Sequence, residues 1–291
     1  MSPERGAPVA PQRQTQAAFR HRDVKGPVRS KRGGRLLMVA APLLGFAACA
    51  GLFSVASDFS WRVLGVVAIF LGVRALWDMG SRLRALDGWE AMERDPRRPV
   101  IFLRPFREDG RVTYKHAQGK YEGGIDTASR EIRRATREPN LYASLTRIGP
   151  FVAVGKPGES LATPGAARIY LSDEEWQTGV ASLVRRAAAV VLQPGTTEGT
   201  RWEMALVGKI VDLRRLLLLV PNRSTRPLGF IQVYGLAAQI APLPPLEQCP
   251  PCDAFMFPDA QNFIPLVFGG RPELVLQPFV QQILQLNETR A

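Results

Sequence analysis

Ala189-Val190-Val191-Leu192-Gln193-Pro194-Gly195-Thr196-Thr197-Glu198-Gly199-Thr200-Arg201-Trp202-Glu203-Met204-Ala205 reads as a strand, a loop and the first turns of a helix. Four consecutive aliphatic residues without polar alternation describe a strand covered on both faces, as in parallel sheets clothed by helices. Pro194 and Gly195 end it, since neither suits a continued ladder. A short helix over about residues 200–209 follows.

The same pattern extends outward. Val100-Ile101-Phe102-Leu103 and Phe151-Val152-Ala153-Val154 are strands of the same kind, and residues 216–220 and 264–268 supply two more. A polar excursion over 108–124 leads into a helix over 127–146, with Ile132, Ala135, Leu141 and Leu145 on one side and a break at Pro139. Ser172-Asp173-Glu174-Glu175 is a capping box, the serine and the glutamate each satisfying a free backbone N–H. Trp176, Val180, Leu183, Val184 and Ala187 then recur at helical spacing, which predicts a buried face with Trp176 in it. Pro242, Pro244, Pro245, Pro250 and Pro251 mark an irregular segment before a closing helix over 272–286. Strands alternating with helices predict an α/β domain over residues 100–291, three-layered around a mainly parallel sheet.

Ahead of it lie two apolar stretches, residues 36–56 and 61–77, separated only by Ser57-Asp58-Phe59-Ser60. A bilayer core takes roughly 20 helical residues, so residues 36–80 are expected to form a transmembrane helical hairpin. Arg62 and Arg74 near the ends of the second span can snorkel to the headgroups. The apolar core is too long and too late for a cleaved signal peptide and runs straight into a second span. Residues 81–99 are a polar connector.

Charge sets the orientation. The chain carries a net charge of +12, and residues 1–35 hold nine Lys and Arg against Glu4 and Asp23. Arg82, Arg84, Arg94, Arg97 and Arg98 follow the second span, whereas the turn between the spans has no basic residue. The positive-inside rule then puts both termini in the cytoplasm of a cell with this protein in its inner (plasma) membrane. The basic tail, rich in Pro, Gln, Gly and Ala, is expected to be disordered and drawn to the anionic lipid bilayer at about 1 kcal/mol per basic residue near the surface. Nucleic acid is a poor partner for a tail whose one aromatic residue is Phe19. Cys49 lies inside the first span; Cys249 and Cys252 form C-P-P-C, a redox pair or half of a zinc site on spacing alone. The two histidines, His21 and His116, and the lack of a second cysteine pair favour ordinary loop thiols, and His116 itself reads as a solvated loop residue.

Ligands of such sheets bind beyond the C-terminal ends of the strands. Three loops fall there: Arg104-Pro105-Phe106-Arg107, Gly155-Lys156-Pro157-Gly158-Glu159, and Gln193 through Gly199. If their strands are neighbours, Arg104 and Lys156 supply positive charge, Gly158 and Gly199 allow close backbone approach, and a helix begins at the same place. That combination suits a phosphate-bearing ligand. No Walker A or G-x-G-x-x-G pattern is present. Thr200-Arg201-Trp202-Glu203 also fits a capping box, in which Glu203 would bond the first N–H groups of its helix.

The segment Thr197-Glu198-Gly199-Thr200-Arg201-Trp202-Glu203 resembles the signature of nucleoside 2-deoxyribosyltransferases, and the region beyond residue 100 is similar to that group and to TIR-like domains. A two-span hairpin joined to a TIR-like cytosolic domain is an arrangement of some bacterial membrane proteins. The resemblance implies a flavodoxin-like sheet and cleavage of an N-glycosidic bond, with Glu203 as the catalytic carboxylate. It further implies NAD or a nucleoside as substrate and no resident cofactor. Negative charge there stabilises an oxocarbenium-like transition state. Trp202 would stack on a base, with Thr197, Gly199 and Thr200 lining the ligand and Arg104 or Lys156 holding phosphate. The alternative is a non-catalytic module that signals by self-association at the membrane. A channel or transporter is disfavoured, since the spans carry no intramembrane acid.

Overall fold

The computed structural model of the chain describes residues 30–55, 59–84, 87–105, 141–155, 165–220, 227–268 and 272–289. These fall into a helical hairpin and an α/β unit.

The hairpin comprises α1 (Lys31–Val55) and α2 (Phe59–Leu83), both long and apolar enough to cross a membrane. Lys31, Arg32 and Arg35 are already helical, so α1 starts inside the segment expected to be an unstructured tail. Glycines hold the helices together: a Cβ on Gly34 would lie 2.6 Å from the carbonyl oxygen of Gly80, and one on Gly65 would lie 2.5 Å from Leu52 Cδ2. The Ser30 N–H donates to the Leu83 carbonyl at 3.0 Å and closes the open end. Leu36, Leu43, Phe46, Phe70 and Leu71 face outward, each more than half exposed. Small residues between the helices and large apolar ones outside are the pattern of helices packed in lipid.

The α/β unit is built on a seven-stranded sheet: β1 (Val100–Leu103), β2 (Phe151–Val154), β3 (Ala167–Ile169), β4 (Ala189–Leu192), β5 (Leu216–Leu219), β6 (Ala254–Met256) and β7 (Ile264–Leu266). Their order is β3-β2-β1-β4-β5-β6-β7. The first five in that order are parallel, and β6 and β7 join antiparallel. Side chains alternate between two apolar layers. Ile101, Leu103, Val190, Leu192, Leu216 and Leu218 enter one layer, and Val100, Phe102, Ala189, Val191, Leu217 and Leu219 the other. Full burial of such a side chain is worth roughly 1.5–3 kcal/mol, which is why these strands are uninterrupted apolar runs.

Helices cover both faces. In the first layer lie α3 (Gly88–Arg94), α4 (Trp176–Arg186), α5 (Glu198–Ile210) and α6 (Pro227–Ala237). In the second lie a helical turn over 141–145 and α8 (Gln277–Glu288), preceded by the short α7 (Pro272–Val275). The rest of the helix expected over 127–146, and the excursion over 108–124, fall outside the described residues. The described end of the β1-to-β2 connection, the turn over 141–145, lies in the second layer, and α5, which connects β4 to β5, lies in the first.

The structure adds elements to the sequence reading. The connector over 81–99 contains α3, capped by Asp87, whose Oδ1 accepts the Trp89 N–H at 2.8 Å. Two three-residue strands, β3 and β6, were not expected, and β3 carries the fully buried Arg168. The Ser172 box is modified: Ser172 Oγ accepts from the Glu175 N–H at 3.3 Å and donates to the Glu175 carboxylate at 3.5 Å, while the helix itself starts at Trp176. In β7, the Leu266 carbonyl accepts the Asp253 N–H at 2.7 Å and so faces the sheet; Pro265, next to it, is turned to the outer edge.

Candidate functional site

The sheet order makes β2, β1 and β4 neighbours, so the strands ahead of the three candidate loops lie side by side, as expected. The connections leave β1 and β4 in opposite directions, which makes their shared C-terminal end the topological switch point, the usual position of a ligand crevice. Gly155 closes β2 against the ring of Tyr170. Lys156 and Gly158 lie outside the described residues.

At the switch point the loops after β1 and β4 are locked together. The Gln193 N–H donates to the Leu103 carbonyl at 2.9 Å, extending the ladder by one residue. Gly195 then packs against Pro105, and a Cβ on it would also lie 3.3 Å from Thr200 Cγ2. Glycine is required there because two loops and a helix meet at one backbone position. Arg104 takes a different course from the one expected. Its guanidinium lies over the Phe102 ring, 5.4 Å from the centroid, on the opposite side of the sheet from α5. The structure therefore does not bring Arg104 together with Trp202 and Glu203.

The start of α5 is set by Thr197. Its hydroxyl accepts the Thr200 N–H at 3.3 Å and lies 2.8 Å from the Thr200 hydroxyl. Its carbonyl accepts the Arg201 N–H at 2.9 Å. Thr197, not Thr200, is thus the N-cap. This overturns the capping-box reading of Glu203, which sits well inside the helix and too far along for its first N–H groups. Among the described residues, the N–H groups of Glu198 and Gly199 have no acceptor.

Glu203 is on the buried face of α5 with Thr200, Met204 and Val207. It is 3% exposed, and among the described residues its carboxyl has no hydrogen-bond or ionic partner. Burial alone pushes its pKa up to about 8, because the ionised form has lost its water without gaining a counter-charge. At neutral pH it is a buried carboxylic acid. A group of this kind still holds its proton at neutral pH, so that it can serve as a general acid, and becomes a carboxylate when a positive charge is brought beside it.

Trp202, one residue earlier, is half-buried and packs on Trp176 from α4, with ring centroids 4.9 Å apart and planes at 49°. Gly199 lies under the same indole, 3.4 Å separating Trp176 Cη2 from the position of a Cβ. Gly199 therefore admits an aromatic ring from the neighbouring helix. Trp176 packs against the first apolar layer, as its spacing suggests, but stands only half-buried at the start of α4, and its Nε1 is shielded from solvent without an acceptor among the described residues. The sequence signal that could have found it is position, since the first residue of α4 falls near the strand ends that carry the site.

Elsewhere, Cys249 and Cys252 are not joined in a disulfide and pack against the first apolar layer. Their mutual hydrogen bond and burial push the Cys252 thiol up. Tyr234, beside them, donates its hydroxyl to the Pro244 carbonyl at 2.8 Å. Asp253 Oδ2 accepts the Phe268 N–H at 2.8 Å and anchors the end of β7. No group of three metal-ligating side chains occurs among the described residues. Comparisons with family models, with curated proteins and with solved structures find nothing that matches this chain.

Proposed function

We propose that this chain is a membrane-tethered nucleotide-binding protein that cleaves an N-glycosidic bond, with Glu203 as its central residue and NAD as the substrate that suits it. The observation that carries the reading is Glu203 itself: a buried carboxyl, without a partner among the described residues, on the helix that starts at the switch point. Buried acids without a partner are destabilising and concentrate at functional sites. Setting aside the edge strand β3, the order β2-β1-β4-β5 has the switch of a flavodoxin-like sheet, which supports the TIR-like assignment. The outward apolar faces of α1 and α2 and the basic residues flanking them support insertion in the inner membrane with both termini cytoplasmic.

The chemistry follows from the state of the carboxyl. A pyridinium N-glycoside such as NAD brings a positive charge, which would convert Glu203 to the carboxylate as it binds. When the bond between ribose C1′ and the pyridinium nitrogen breaks, its electron pair neutralises the leaving nicotinamide and leaves an oxocarbenium ion. The carboxylate faces that cation. Water then attacks C1′ and releases one proton, giving ADP-ribose and nicotinamide.

The test uses the full chain in lipid nanodiscs with NAD, following nicotinamide release beside a Glu203→Gln protein. Release by the wild type at least a hundredfold above the variant is expected. Equal release, or none from folded wild-type protein, sinks the enzymatic reading and leaves the self-associating module.

A further inference from the structure

We propose that Cys249 and Cys252 are a reversible redox centre, which closes to an intramolecular disulfide with a low-molecular-weight disulfide such as oxidised glutathione as the oxidant. Spacing alone favours ordinary loop thiols, but the placement of the sulfurs goes further. The Cys252 thiol is hydrogen-bonded to Cys249, whose own S–H donates to the Pro250 carbonyl at 3.5 Å. The two sulfurs therefore already meet across Pro250 and Pro251, whose fixed φ angles limit how far the connection can relax. Neither cysteine is fully buried, so a small oxidant has access.

The surroundings favour a disulfide over ionised thiols. Both residues pack against the first apolar layer, and the side-chain charge from outside the pair that acts on Cys252 is that of an acid, Asp253. A disulfide is neutral and suits such a place, whereas a thiolate does not. Strongly oxidising dithiols owe their potential to a stabilised reduced form; that stabilisation is missing here, and an excess of reduced glutathione is what holds such a pair open in a reducing compartment.

The step balances between the pair and its oxidant. The hydrogen bond to Cys249, burial and the charge of Asp253 hold the proton on Cys252, so the Cys249 sulfur attacks first. It displaces one glutathione from the oxidised dimer and forms a mixed disulfide. The Cys252 sulfur then attacks Cys249 and releases the second glutathione. Two electrons pass from the protein to glutathione, and the two protons leave on the two glutathione thiols.

Asp253 ties this centre to the sheet. Its N–H donates to the Leu266 carbonyl at 2.7 Å, its carbonyl accepts the Val220 N–H at 2.9 Å, and its carboxylate accepts the Phe268 N–H at 2.8 Å. A covalent bond at the adjacent residue holds the meeting point of β5, β6 and β7 more firmly.

The experiment treats the full chain in nanodiscs with oxidised and then with reduced glutathione, following the cysteines by peptide mass spectrometry and the amides by hydrogen exchange. The wild-type peptide that carries both cysteines is expected to lose two hydrogens and to regain them on reduction. In the oxidised state the Val220 and Phe268 amides exchange about tenfold more slowly. Cys252→Ser is expected to stop at a glutathione adduct on Cys249. A lasting adduct in the wild type, thiols left intact in folded protein, a bond that reduced glutathione does not open, equal exchange in the two states, or a folded serine variant without an adduct overturns the inference. If the serine variant does not fold, the wild-type measurements decide alone.

Discussion

Gly195 and Pro105 are in direct contact, and a methyl group on the glycine would overlap the proline ring. The contact joins the loop after β1 to the loop after β4 at the point where the sheet changes direction, so it sets the spacing of the whole crevice. Gly195→Ala is expected to lower stability by about 1–3 kcal/mol, the range for overpacking a tight site, and to weaken ligand binding at the same time. Thermal unfolding of the solubilised chain, read by circular dichroism, checks it. An alanine variant as stable as wild type would show that the loops part freely.

The protonated state of Glu203 makes stability fall as pH rises. Its folded pKa of about 8 stands above the ordinary value of 4.5, so between these values the folded chain holds a proton that the unfolded chain has released. The contribution is complete below about pH 4.5 and is lost as pH climbs through about 8, with a slope approaching about 1.4 kcal/mol per pH unit. Glu203→Gln should remove this slope and be the more stable protein at pH 8. Urea unfolding across that window measures both curves, and parallel curves would place the carboxyl in contact with water.

Thr197→Ala removes the hydroxyl that accepts the Thr200 N–H. A loss of about 1 kcal/mol is expected from the missing cap. Thr200→Ser, which keeps a hydroxyl beside Thr197, should cost less. Reversal of that order would show that Thr200 carries the helix start after all.

In the hairpin, Gly80 and Gly34 meet backbone to backbone, 2.9 Å separating a Cβ on Gly80 from the Gly34 carbonyl oxygen. A backbone atom cannot rotate away, so Gly80→Ile should split α1 from α2 at that end, whereas Gly72→Ile, at a position with nothing within 4 Å, should be tolerated. Cross-linking of cysteines placed at residues 38 and 84, whose side chains touch at that end, compared among the wild type, Gly80→Ile and Gly72→Ile, reports the helix separation.

Reporter fusions at residues 1 and 291 are expected to read cytoplasmic, given the basic residues at both flanks of the hairpin. An extracytoplasmic C-terminus would overturn the proposal that the α/β unit takes a nucleotide.

Much of the fold was legible because its strands are buried on both faces. Val100 to Leu103 and Ala189 to Leu192 announce themselves by composition alone. β3 was not legible: Ala167-Arg168-Ile169 holds a charged residue whose burial depends on partners that the local sequence does not reveal. β6, Ala254-Phe255-Met256, is short and set among prolines, and pairing with β5 defines it. Sequence located Thr197, Gly199, Trp202 and Glu203 together but read Thr200 as the cap, where the structure has Thr197, three residues earlier. It could not show that Gly199 makes room for Trp176, because that contact joins separate helices. Arg104 was drawn to the ligand by its position after β1, whereas the alternation of the strand turns it onto Phe102.

Pro265 has a bearing on how copies of this protein could meet. Strand β7 closes one side of the sheet, and the outward position on it is filled by a residue with no amide hydrogen. A second chain arriving there would find an acceptor without its neighbouring donor, so the ribbon cannot grow in that direction. A continuous filament of strands would need both edges of the sheet, β3 and β7, so copies that gather in the bilayer would do so as discrete bodies.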